Sequence, residues 1–110
     1  MNGPTVLGAP IYARPLIPSM APNYLPGRYR VLRDFLDRDG FNHCPDEEWW
    51  LLFAGFVAYD DELILVVSLD QKRQWTIPLH WGSKEQATVI ENFPTFVERL
   101  GSLPSGFLSF

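Results

Sequence analysis

The stretch Trp49–Leu79 constrains the fold of this chain more than any other. Every position from Trp49 to Ala58 is apolar, and Tyr59-Asp60-Asp61 follows as a turn, since Asp side chains bond the local backbone and tolerate tight dihedrals. Leu63–Leu69 is rich in Ile and Val, which fit a pleated surface. After the polar break Asp70–Arg73, the residues Trp75, Ile77 and Leu79 alternate with Gln74, Thr76 and Pro78, the period of a half-buried strand. Three strands joined by such short connections are expected to pair antiparallel, as a meander. Neighbours on a strand point to opposite faces, so Trp49 and Trp50 cannot share one. Either both faces are covered or one Trp is exposed.

Size and charge set the class. The chain has 110 residues, 46% of them hydrophobic, enough for one folded domain with its own core. The net charge of −4 argues against nucleic-acid binding, which needs clustered Lys and Arg. A single cysteine, Cys44, excludes an internal disulfide and suits a reducing compartment. The longest apolar run, Trp49–Tyr59, falls short of the roughly 18 residues that suggest a membrane span. Prolines interrupt the N-terminal apolar residues too often for a signal peptide. The expected location is the cytoplasm.

Six of the ten prolines lie within residues 1–26, together with Val6, Leu7, Ile11, Tyr12, Leu16, Ile17 and Met20. This density forbids helix and favours extended backbone, so residues 1–25 are expected to form a Pro-rich arm ahead of a single domain over 26–110. Charge divides similarly: residues 1–33 carry four Arg and no acid, and residues 34–110 carry five basic and thirteen acidic side chains, leaving +4 and −8. From Pro26 the spacing of Leu25, Tyr29, Leu32 and Leu36 predicts a helix over 26–37, with Gly40 beyond its end. Ser83 with Gln86 fits a capping box that would open a short helical turn, while the β-branched run Thr88-Val89-Ile90 suits a brief strand instead, and Asn92 with Pro94 predicts a last helix over 93–100. The expected class is α+β: an antiparallel meander of three or four strands with an N-terminal and a C-terminal helix.

Signatures of chemistry are thin. His43-Cys44 lies in a loop, but neighbouring residues rarely ligate one metal, and no CxxC, HxxxH or HExxH spacing is present. Serine nucleophile elbows, phosphate loops and Gly-rich dinucleotide motifs are absent too. No catalytic residue, metal or cofactor is therefore expected, and His43 and Cys44 should be dispensable for any chemistry. Two acidic clusters stand out instead. Asp46, Glu47 and Glu48 precede the first strand beside Trp49, and Asp60, Asp61 and Glu62 follow it. A continuous strand between them holds the clusters roughly 33 Å apart. The Asp46–Trp49 end is the stronger candidate, because Trp49 would add an aromatic anchor to the charge.

The order of pieces resembles the SMI1/KNR4 (SUKH) superfamily over about residues 25–100. Leu25-Pro26-Gly27-Arg28-Tyr29, Phe35-Leu36 and Asp39-Gly40-Phe41 look like its leucine-proline helix start. Glu62–Asp70 looks like its central strand, and Ile90–Leu100 like its final helix. The resemblance implies a non-enzymatic protein-binding module, for many bacterial members are immunity proteins that neutralise a toxin. Asp46, Glu47, Glu48, Asp60, Asp61 and Glu62 would then meet Lys and Arg of a basic partner. Two other roles suit the same features: a viral or phage-encoded adaptor that engages a host protein through the arm, and a structural subunit that self-associates through a free sheet face.

Overall fold

The computed structural model describes residues 4–7, 11 and 13–105. In chain order these form β1 (Thr5–Val6), β2 (Arg14–Pro15), a 3-10 turn at Ala21–Tyr24, β3 (Gly27–Val31), β4 (Phe35–Leu36) and β5 (Asn42–His43). Then come β6 (Glu48–Val57), a second 3-10 turn at Ala58–Asp60, β7 (Glu62–Ser68), β8 (Arg73–His80), α1 (Lys84–Glu91), α2 (Phe93–Phe96) and β9 (Val97–Gly101). The class is α+β, with an antiparallel sheet and two short helices. The sheet runs β1-β8-β7-β6-β3-β9, β2 pairs with β6 further along than β3 does, and β4 with β5 forms a separate hairpin.

Alternation decides what each strand buries. Trp49, Leu51 and Ala54 of β6, Leu63, Leu65 and Val67 of β7, and Ile77 and Leu79 of β8 share one face. Tyr29 and Val31 of β3 extend it, and Val89, Ile90, Phe93 and Phe96 of the two helices pack into the same core. The unbroken apolar run of β6 is explained by a bulge. Leu51 pairs with Val67 and Phe53 with Val66, so Leu52 has no partner in the ladder and the alternation slips by one. The first 3-10 turn is fastened to this core as well: Tyr24 stacks on Phe93 at 4.4 Å, and its hydroxyl donates to the Ile90 carbonyl at 2.6 Å.

Two expectations are corrected. The segment expected as helix 26–37 is strand β3, then β4. Gly27, Tyr29 and Val31 point inward while Arg28 and Arg30 point away, a period of two. The leucines that suggested a helical stripe do not form one: Leu25, Leu32 and Leu36 are 48%, 43% and 55% exposed. The helix expected over 93–100 stops at Phe96, because Val97 enters a strand and pairs with Val31. The cap at Ser83 does form, its hydroxyl accepting the Gln86 N–H, and α1 runs from there to Glu91. The Gln86 side chain accepts the His80 N–H at 2.6 Å rather than closing the box on Ser83.

Two short pieces of the Pro-rich segment pair with the sheet. Thr5 and Val6 pair with Gln74 and Arg73, and Arg14 and Pro15 with Phe56 and Gly55. No described helix is long and apolar enough to cross a membrane.

Candidate functional site

The hairpin β4–β5 is built around one aspartate. Its turn is Asp37–Gly40, with Gly40 in the left-handed region at φ 87° that favours glycine. Asp37 closes the turn with its backbone, donating to the Phe41 carbonyl at 2.9 Å. One carboxylate oxygen, Oδ1, accepts the N–H groups of Asp39 (2.9 Å) and Phe41 (3.1 Å). The other, Oδ2, accepts from His43 Nε2 at 2.8 Å. From the far side of the ring, His43 Nδ1 donates to Glu47 Oε2 at 2.6 Å, and that oxygen also accepts the indole N–H of Trp49 at 3.0 Å. His43 stacks on Phe35 at 4.8 Å, and Phe35 meets Phe96 edge-on at 6.3 Å. The result is a clip, Asp37–His43–Glu47, that ties the hairpin to the start of β6.

Burial makes this clip unusual. Asp37 is 2% exposed and His43 4%. Desolvation alone would lower the imidazole pKa, but the hydrogen bonds to Asp37 and Glu47 and the charges of both carboxylates outweigh it and raise the value to about 9. For Asp37, burial acts to raise the pKa. The His43 hydrogen bond and the Phe41 N–H prevail, so the carboxylate is held below its ordinary value. The ring is therefore an imidazolium near neutral pH, donating from both nitrogens. Cys44 is exposed, and its thiol contacts Asn42 rather than His43.

What the clip holds in place is an apolar tip. Leu36 is 55% and Phe41 54% exposed, one on each side of the turn. A groove of about 450 Å³ separates the hairpin from α1, with Leu36 and Val89 in its walls and the carboxylates of Asp34 and Glu85 beside them. A smaller hollow of about 170 Å³ lies under Phe41, bordered by Glu47, Trp49 and Leu69.

The residues expected to bind a partner are distributed differently from the sequence reading. Trp49 is not an exposed anchor: it is 2% exposed, faces the core and stacks on Tyr29 at 5.7 Å. Its neighbour Trp50 takes the opposite face, with the Arg28 guanidinium 5.7 Å from its ring. Glu48 pairs with Arg28 at 2.6 Å and Glu62 with Arg38 at 2.6 Å. The Asp60 carbonyl accepts from Arg38 at 3.2 Å. Asp46 and Asp61 hold turns at φ 73° and 51°, their backbone groups bonded to Val31 and Trp81. The hairpin therefore reaches both acidic clusters, through His43 to Glu47 and through Arg38 to Asp60 and Glu62. Sequence reasoning passed over Leu36, Asp37 and Phe41. The signal for them was the run Asp37-Arg38-Asp39-Gly40, which suits a hairpin turn as well as a helix end.

No family model and no curated protein matches the sequence. Among solved structures, the chain is similar to an integron cassette protein from the mobile metagenome of Vibrio cholerae. The two share 22% identity over 67% of this chain and 81% of that one, with a TM-score of 0.61. At that identity the likeness is one of fold.

Proposed function

We propose that this chain is a non-enzymatic protein-binding module that engages a basic partner through hairpin β4–β5. One observation carries the reading: Leu36 and Phe41 are more than half exposed on a hairpin whose base is fastened by buried charge. Apolar side chains on a pre-ordered support bind with little loss of conformational freedom, and large apolar anchors supply most interface energy. Asp34 and Glu85 beside the groove, with exposed Asp46 in the loop that follows, give the surroundings the sign that attracts Lys and Arg. Neutralisation of a basic toxin, the role implied by the sequence resemblance to SUKH proteins, is the specific form of this reading; the segment likened to their first helix is strand β3 in this fold. Phe41 takes the anchor role first assigned to Trp49.

The test is affinity capture from the native host with the parent chain and with Leu36→Ala plus Phe41→Ala. Both residues are exposed, so the variant should keep the parent's circular dichroism. The reading expects a basic protein captured by the parent and lost with the double variant. It expects Asp34→Lys plus Glu85→Lys to slow association and weaken its salt dependence. Equal capture by parent and Leu36/Phe41 variant would contradict it.

A further inference from the structure

A third concavity lies where β2, the end of β6 and the β8–α1 turn converge. It is a cleft of about 420 Å³. Leu16, Met20 and Trp81 border the core without being fully buried, and they form its walls together with Phe56. The walls are fixed by backbone hydrogen bonds. Arg14 and Pro15 pair with β6, the N–H groups of Met20 and Ala21 donate to the Ile17 carbonyl, and the Trp81 N–H donates to the Asp61 carbonyl at 2.8 Å. Gly55 is what allows the chain this close to β6. A Cβ there would come within 2.8 Å of the Ala13 Cβ and 2.6 Å of the Phe53 ring. The cleft is preformed, mostly apolar and in the size range of small-molecule sites.

Two charged residues complete the lining, Arg14 and Asp61, and both are exposed. Neither has an ion-pair partner among the described residues. One presents donors for a carboxylate and the other accepts from an ammonium group. We infer that this cleft binds a small amphipathic zwitterion, of which a large apolar α-amino acid is the simplest case. The side chain lies among Leu16, Met20, Phe56 and Trp81, the carboxylate meets Arg14 and the ammonium meets Asp61. The inference does not rest on the binding role proposed for the hairpin, whose Arg38 meets Asp60 and Glu62 on either side of Asp61.

The experiment is a titration of the ¹⁵N- and methyl-labelled full chain, read at the Trp81 indole N–H and the Met20 methyl. The probes are L-phenylalanine, 3-phenylpropionate (no ammonium) and phenethylamine (no carboxylate). L-Phenylalanine is expected to shift both signals and to bind roughly tenfold more tightly than either single-charge analogue, the scale of one charge-assisted hydrogen bond. Arg14→Ala should remove the advantage over phenethylamine, and Asp61→Asn, which tolerates the left-handed backbone, the advantage over phenylpropionate. No shift at Trp81 and Met20 with any probe would overturn the inference on the unaltered protein. Equal affinity for all three probes would overturn it as well, by reducing the site to an apolar crevice.

Discussion

Strands β6–β8 and the hairpin β4–β5 are held by opposite means. The central strands bury Leu51, Leu63, Leu65, Val67, Ile77 and Leu79 with no exposed surface on any of them. Their stability is spread over many apolar contacts, none dominant. The hairpin has two residues per strand, and it is held by Phe35, by one imidazolium between two carboxylates, and by Arg38, which bonds Pro78, Asp60 and Glu62. A few strong, directional contacts do there what many weak ones do in the sheet. Such an arrangement keeps a short exposed element rigid without burying its tip, and it concentrates the risk of failure in single residues.

The largest effect is expected in the sheet. Leu65→Ala removes a fully buried side chain from the middle of the core, which should cost about 2–5 kcal/mol and appear as loss of global stability in urea unfolding. A smaller and more local effect is expected at the clip. His43→Ala leaves Asp37 buried without its counter-charge. Breaking such a pair costs about 3 kcal/mol in other proteins, less here because the Glu47 side chain is 32% exposed. Amide exchange should accelerate at Asp39 and Phe41 while β7 stays protected. If His43→Ala instead opened β7 as readily as the hairpin, the two regions would be one cooperative unit.

The pH dependence separates the regions further. The folded pKa of His43 is raised from 6.5 to about 9, so its contribution is complete below pH 6.5 and is lost as pH rises through 9. Asp37 has the opposite sign: its folded pKa is depressed, so its contribution is present above the ordinary carboxylate range and is lost as pH falls through the lowered value. Hairpin stability should therefore peak between these limits and fall on both sides. His43→Gln should flatten the alkaline limb, measured by urea midpoints from pH 6 to 10. The smallest change is expected at the exposed pair Arg30–Glu98. Arg30→Ala should leave the global urea midpoint close to that of the parent, since an exposed ion pair screened by solvent contributes little.

The same contrast explains what could be read from the sequence. Strands β6 to β8 were legible because β-branched residues, short polar breaks and alternation agree over thirty positions. The start of α1 was legible from its Ser83 cap, but its length was not, because the β-branched run Thr88-Val89-Ile90 within it reads as a short strand. Strand β3 was misread because Leu25, Leu32 and Leu36 sit at helical spacing with Tyr29, while the competing signal, Arg28 and Arg30 alternating with Tyr29 and Val31, is only five residues long. The leucines are exposed, so their spacing recorded no burial. The clip was illegible for another reason. Asp37, His43 and Glu47 form no motif by spacing, and the turn at Gly40 alone brings them together. Trp49 and Trp50 were rightly assigned to opposite faces, but nothing in the sequence marks which face the helices cover.

The central claim is that buried charge on His43 holds the hairpin in place. It is tested most directly by a nitrogen-15 NMR titration of the His43 imidazole in the intact chain. The account predicts that Nδ1 and Nε2 are both protonated at neutral pH and lose a proton only near pH 9. A neutral single tautomer at pH 7, or titration at or below 6.5, would contradict it.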